Sequence, residues 1–353
     1  MRGLLRIASG LAVISLAAGT FAPAKPAFAD DQLTITSFGG SWQTALRKGM
    51  FEPFSKLTGV KISEDEYTSQ SAKIRAMVES NTVSWDVVDF AADVYLQLCA
   101  EGLLETVDWK KLGLDRTKFI GGDTSDCGVP SVIGSTIVAY DKDKLPNGPK
   151  TIADVFDTRK FPGKRGLRKD PYYNLEWALV ADGVAAKDVY KVLATPQGVN
   201  RAFKKLDTIK KDVIWFTSNA QAPQLLADGE VAMVRSTNAR IYDAVKDSGK
   251  HFEIMWDAQV LELAYWGVPK GTPHKDAADK FLAFAGSPKA QAHLTQYFAY
   301  APANKDAMAL VDPAIRPHLP APDSAGNNIS RDAAFWADHG DVLRQRFTAW
   351  LAK

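Results

Sequence analysis

Leu33-Thr34-Ile35-Thr36-Ser37-Phe38-Gly39-Gly40-Ser41-Trp42 opens the stretch that decides the fold. Leu33 to Phe38 alternates apolar and polar residues as a half-buried strand does, and Gly39-Gly40 ends it. Trp42 to Leu57 then carries apolar residues at helical spacing, closed by Gly59 at the position where a left-handed C-cap forms. Val60 to Glu64 is a second strand, Ala72 to Glu79 a short helix, and Trp85-Asp86-Val87-Val88-Asp89-Phe90 a third strand with a buried Val pair. Strands alternating with helices over short links predict a parallel sheet. In open sheets of that kind ligands bind beyond the carboxyl ends of the strands. Gly39, Ser41, Trp42 and Asp93 all fall at such ends and form a first set of candidate ligand contacts.

Working outward, Val129 to Tyr140 is a long apolar strand that leaves the first unit. The second unit has helices at Asn174–Ala181, Pro196–Lys205 and Ala220–Leu226, and strands at Val213–Phe216 and Val231–Arg235. Leu261 to Val268 reads as the return strand, followed by helices Lys275–Ala285 and Pro288–Gln296. A final helix from His339 to Leu351 is expected to pack back on the second unit. Ser218 and Gln221 sit where a strand meets a helix start and can offer a hydroxyl and an amide to a ligand.

Upstream of the first strand, residues 1–29 read as an export leader. Met1-Arg2-Gly3-Leu4-Leu5-Arg6 is a short basic start, Ile7 to Phe21 is apolar or small, and Ala27-Phe28-Ala29 supplies the small residues that a signal peptidase reads. Cleavage before Asp30 is the expectation. A membrane anchor is the competing reading, but this apolar run is shorter than the ~20 residues a spanning helix needs. The 43 Lys and Arg less the three in the leader leave 40 against 41 Asp and Glu, a net charge of −1. No basic stripe suggests nucleic acid or an anionic membrane as partner. The remaining 324 residues exceed one compact core and suggest two lobes.

Cys99 and Cys127 are the two cysteines of the chain. In an oxidising compartment they predict a disulfide ahead of a metal site or a nucleophile, with two free thiols as the alternative. The five histidines are scattered without i, i+4 pairing, so no zinc site is expected, nor any cofactor. Tyr172-Tyr173 could suggest ferric iron, yet no His or Glu cluster accompanies it. As an enzyme, the chain would need Cys127 as nucleophile, with only Asp126 nearby as a base.

Taken in order, Phe38-Gly39-Gly40, Trp85-Asp86-Val87-Val88 with Glu101-Gly102-Leu103-Leu104, Ser135-Thr136-Ile137-Val138-Ala139-Tyr140, Phe161-Pro162-Gly163-Lys164-Arg165, Leu225-Leu226-Ala227-Asp228-Gly229-Glu230-Val231 and Trp266-Gly267-Val268-Pro269-Lys270-Gly271 form a pattern. The chain resembles the spermidine/putrescine-type periplasmic solute-binding proteins, within the bacterial extracellular solute-binding class. That resemblance implies an α/β, type II periplasmic-binding-protein fold. Its two lobes would each be a mixed, mainly parallel sheet flanked by helices, joined by crossing strands. Lobe 1 is expected at 30–140 plus 266–310, and lobe 2 at 141–265 plus 311–353. The implied role is a non-enzymatic, monomeric periplasmic receptor. It would capture a small amine-bearing solute between its lobes and deliver it to the permease subunits of an ABC importer. A solute sensor would share the fold and the cleft.

Position by position, the resemblance makes Trp42 a stacking face and Asp170 a second-lobe acid, and places Ser135 on the crossing strand beside them. Tyr173 stands where the family has another acid, Thr237 where it has a stacking Trp, and Glu262 and Ala264 where it has a Trp and an Asp. Tyr300 matches a lower aromatic. Arg235, two residues before Thr237 on the same strand, should share its side. An arginine in the cleft favours a carboxylate on the solute, while Glu262 or Asp170 takes an amine. A zwitterionic ω-amino acid is therefore the alternative to a polyamine. A structural pairing of Arg235 with an acid at the lobe edge is the competing reading.

Overall fold

The computed structural model describes residues 32–67, 71–124, 126–320 and 327–353. The leader and the cleavage site before Asp30 lie outside them. The opening stretch folds as β1 (Gln32–Ser37), a helical run Gly40–Thr58 with a π-turn at Arg47–Phe51, β2 (Lys61–Glu66), a helix Ser71–Glu79 and β3 (Val87–Ala91). Gly59, at φ 79°, closes the run in the left-handed region where a side chain would be strained. Both β2 and β3 pair with β1 in parallel.

Two long strands cross the molecule: β4 (Gly128–Asp141), and the return strand discussed below. The second unit contributes β5 (Arg165–Arg168), β6 (Val213–Phe216) and β7 (Met233–Thr237), with β6 and β7 flanking β5 in parallel. The return strand β8 spans Phe252–Gly267, nine residues earlier than its sequence pattern suggested. Its first half mixes Glu253, Trp256 and Asp257 among apolar residues, and Ala258 at φ 54° bends it. That irregularity hides the alternation a strand otherwise shows. Short strands β9 (Ala301–Pro302) and β10 (Ile329–Ser330) add to the edges of β4 and β8.

All strands join one mixed sheet in the order β2-β1-β3-β8-β4-β7-β5-β6. The two halves of this order are the two lobes, and the antiparallel pair β8–β4 runs through both. One large apolar cluster fills the first half, around Leu33, Phe51, Trp266 and Phe281. Others fill the second around Val138, Trp177 and Met233, and around Leu175, Phe203 and Phe347. Val311, Ile315 and Leu319, assigned to lobe 2 from the sequence, are buried in the first cluster. The terminal helix begins at Ala333 rather than His339, capped by Asp332, whose carboxylate accepts from the Phe335 amide at 2.8 Å. Phe335, Trp336, Leu343 and Phe347 pack it in the cluster around Leu175 and Phe203.

Cys99 and Cys127 form a disulfide, with Cα atoms 5.8 Å apart. Cys99 lies on the helix Ala92–Ala100 and Cys127 just before β4. The bridge closes a loop with a sequence separation of 28. Reduction should cost about 3–4 kcal/mol of stability in the chain-entropy account. Denaturant unfolding with and without reductant checks this. Equal midpoints would show that the bridge does not stabilise the fold.

Candidate functional site

The carboxyl ends of β1, β3, β5 and β7 converge beside the crossing strands, where a continuous chain of charged and phenolic groups links the two lobes. It starts on lobe 2. After β5 the backbone turns at Lys169-Asp170-Pro171, and the Asn174 amide ties the turn by donating to the carbonyls of Arg168 (2.9 Å) and Asp170 (2.6 Å). Tyr173 takes φ 65° to let the helix Asn174–Ala181 start at once, and this left-handed backbone turns its ring inward. Asp170 accepts from Arg235 on β7 at 3.1 Å and from Arg168 at 3.0 Å. Arg235 has only 4% of its side chain exposed, and its guanidinium lies 4.6 Å from the centre of the Tyr173 ring.

At the edge of that ring, the Tyr173 hydroxyl donates to Oε1 of Glu262 on β8. The other Glu262 oxygen, Oε2, accepts from the Thr136 hydroxyl of β4 at 3.4 Å. Arg331, between β10 and the terminal helix, reaches Glu262 Oε1 at 3.4 Å and Asp93 Oδ2 at 2.8 Å. Asp93 opens the helix that follows β3, so this last pair joins the C-terminal segment to lobe 1. Burial pushes the Tyr173 phenol well above its ordinary value, and Glu262 pushes it the same way. Burial alone would lower Arg331, but Tyr173, Asp93 and Glu262 outweigh it, and the guanidinium is held charged.

An aromatic wall stands behind these groups. Trp42 donates its indole N–H to Asp89 at 2.6 Å and packs against Phe298 (5.2 Å) and Tyr300 (5.5 Å). Tyr300 fits against Gly134, where an added Cβ would come 3.0 Å from the ring. Burial raises the Tyr300 phenol to about 12, with Glu262 adding to the shift. Gly39, at φ 70°, lets the loop before Trp42 pass over Glu66, whose carboxylate a Cβ there would overlap.

The structure thus brings Asp93, Asp170, Tyr173, Arg235 and Glu262 into one chain, with Trp42 and Tyr300 on the wall behind. Thr237 ends β7 beside them, opposite Thr136. Four candidates lie apart. Ser135 points to the other face of β4 from Thr136, as the two-residue period requires, and its hydroxyl donates to Gln259 at 2.9 Å. Ser41 is exposed and lines a separate depression of about 260 Å³ with Lys48, Asp243 and Tyr297. Gln221 folds its carbonyl back onto the amide of Ser218 at 2.9 Å, so that pair serves the helix start. Tyr172 and Tyr173 diverge: Tyr172 packs on Trp336 at 4.2 Å and accepts from Arg344. Arg331 and Thr136 were missed, and Tyr172 was weighed only as a ligand for iron. The alternation along β4 could have suggested Thr136. Arg331 follows no motif that could have flagged it.

A family model described as bacterial extracellular solute-binding protein matches residues 49–321. A gamma-aminobutyric acid-binding protein of Pseudomonas aeruginosa is 44% identical over 322 residues, covering 91% of each chain. The spermidine/putrescine-binding periplasmic protein of Escherichia coli K12 is 22% identical over 315 residues, covering 85% of this chain and 86% of its own. Among solved structures, a GABA receptor superposes with TM-score 0.81 at 39% identity, over 91% of this chain and 98% of its own. The binding protein MotA of Agrobacterium tumefaciens B6, in complex with glucopine, gives TM-score 0.79 at 33% identity, over 91% and 99%.

Proposed function

The chain belongs to the bacterial extracellular solute-binding protein family, and from that premise we propose that its solute is a zwitterionic ω-amino acid of the length of GABA. It is the substrate-binding subunit of an ABC importer and not an enzyme; Cys127, the one candidate nucleophile, is bound in the disulfide. Among the described residues no helix is long and apolar enough to cross a membrane. We place the protein in the periplasm, as a monomer released by cleavage before Asp30.

One observation carries the choice of solute: Arg235 lies over the face of the Tyr173 ring and Glu262 at its hydroxyl. A carboxylate at the Arg235 fork and an ammonium at Glu262 Oε2 would then be separated by the distance from the ring face to beyond its hydroxyl, with the alkyl chain lying along the aromatic surface. An α-amino acid holds its two charges one carbon apart and cannot reach both groups. The overall charge agrees. Asp93, Asp170 and Glu262 face two buried arginines, so the site is nearly balanced before any solute arrives and suits a neutral zwitterion better than a polycation. Two relatives, at 44% and 39% identity, point the same way, since their named solute is GABA.

Calorimetry on protein stripped by unfolding and refolding tests the reading, with GABA, 5-aminovalerate, alanine, putrescine and spermidine as titrants. GABA or 5-aminovalerate should bind at least about a hundredfold more tightly than alanine, the effect of losing one charge-assisted contact in a buried site. Tighter binding of spermidine than of either ω-amino acid would overturn the assignment.

A further inference from the structure

We propose that Arg331 sets the charge class of solute this site accepts, by occupying with its own guanidinium the place a second ammonium would take. The inference rests on the zwitterion reading above and adds a residue that determines specificity. Two carboxylates and an aromatic face are what a cleft offers an alkylammonium. Arg331 has all three: Asp93 at 2.8 Å, Glu262 Oε1 at 3.4 Å, and the Tyr172 ring 5.2 Å from its guanidinium carbon. Glu262 Oε2, with the Thr136 hydroxyl at 3.4 Å as its only partner among the described residues, keeps room for one ammonium, while Oε1 and Asp93 Oδ2 are taken by the chain itself.

The backbone holds Arg331 in that position. β10 pairs with β8 immediately before it, and the Arg331 amide donates to the Leu261 carbonyl at 3.2 Å. Asp332, immediately after, caps the terminal helix. With both neighbours tied down, the side chain runs along Tyr172 to the acids. A guanidinium does not lose its proton in a protein, so the place stays filled at any working pH. Asp93 Oδ1 is buried and has no hydrogen-bond partner among the described residues. Removing the guanidinium would therefore leave a carboxylate with both oxygens open to an incoming cation. A dication such as putrescine meets one available acid oxygen and a fixed positive charge in the native site. With Arg331 neutralised it would meet two acids that no cation among the described residues pairs.

The test is calorimetry of the full mature chain and of Arg331→Gln, Arg331→Leu and Arg331→Lys with GABA and putrescine, alongside thermal melts. Native protein should prefer GABA to putrescine by at least about a hundredfold, and the two neutral variants should gain putrescine affinity by at least about tenfold. Arg331→Lys keeps the charge and should gain none. A role limited to tying the lobes together would lower all affinities and raise none. The proposal falls if the neutral variants melt cooperatively without a gain for putrescine, or if native protein binds putrescine within tenfold of GABA. It falls also if both neutral variants fail to fold, because a residue required for folding is not a free element of specificity. Failure of native protein to bind any ω-amino acid would count against the functional reading instead, and the putrescine gain would still decide the role of Arg331.

Discussion

Arg235→Ala should abolish measurable binding of the ω-amino acid, with a loss of about a hundred- to a thousandfold, the effect of removing two charge-assisted hydrogen bonds from a buried site. The guanidinium is nearly sealed from solvent and aimed by Asp170 on one side and the Tyr173 face on the other. Its preorganisation means that little ordering entropy opposes binding, and the full interaction appears in the affinity. Alanine also leaves Asp170 with Arg168 as its charged partner, an exposed side chain screened by water, so carboxylate repulsion adds to the loss. Because breaking a buried ion pair can cost 3–5 kcal/mol of stability, about the same range as the binding loss, thermal melts must accompany the titration. Arg235→Lys separates the two effects. It restores the charge opposite Asp170 but not the planar fork, so stability should return largely and affinity only in part. If Arg235→Ala melts normally and binds the solute as tightly as the native chain, the arginine is a structural partner of Asp170.

The competing readings of Arg235 show what a sequence can carry. That β7 presents Arg235 near a strand end, on the side away from Val234, follows from a period of two. That its partner is Asp170, 65 positions earlier, follows from β5 lying beside β7 in the sheet, which local pattern does not encode. The pair is compatible with either reading: in the proposed function it aims a fork that a solute carboxylate would share.

Elements with strong local signals were legible almost to the residue. The helices Asn174–Ala181 and Lys275–Ala285 and the strand Val213–Phe216 begin and end where periodicity put them. Where tertiary contacts override pattern, the reading failed. The helix Asn238–Ser248 went unseen because Asn238, its first residue, is a weak helix former held by a different demand. Its side-chain amide is buried and donates to the carbonyls of Ala299 and His318. Arg331 was illegible for a related reason. Its proposed role depends on β10 docking against β8, and a two-residue strand has no periodicity to detect. The site residues found from the sequence are those at ends of regular elements, and those missed come from the crossing strand and the C-terminal segment that cross between lobes.

Glu176→Gln should raise stability by about 3 kcal/mol at pH 8 and by little at pH 4, the effect of sparing a buried carboxyl its ionisation. Glu176 is fully buried beneath the terminal helix, and its Oε1 accepts from the Trp336 indole at 2.9 Å and the Tyr190 hydroxyl at 3.0 Å. Its other oxygen is buried without a hydrogen-bond partner among the described residues. Burial lifts the carboxyl from its ordinary 4.5 to about 7, against the opposing pull of its donors and of Arg331. The sign follows directly. A carboxyl raised in the folded state binds its proton more tightly there than in the unfolded chain, so its contribution is fully present below about pH 4.5. That contribution is lost as pH rises to 7, beyond which folding must carry a buried, poorly solvated charge. Glutamine keeps an acceptor for Trp336 and Tyr190 and never ionises, so it behaves as the protonated acid at every pH. Trp336 in turn packs on Tyr172, and Tyr172 flanks Arg331, so the proton on Glu176 lies behind the surface that orients the binding site. Urea unfolding of both proteins from pH 4 to 8 should give curves that coincide in acid and separate above pH 5. Curves that stay parallel across the range would show that Glu176 is ionised, or neutral, throughout. In that case the terminal helix would draw no pH-dependent support from the carboxyl beneath it.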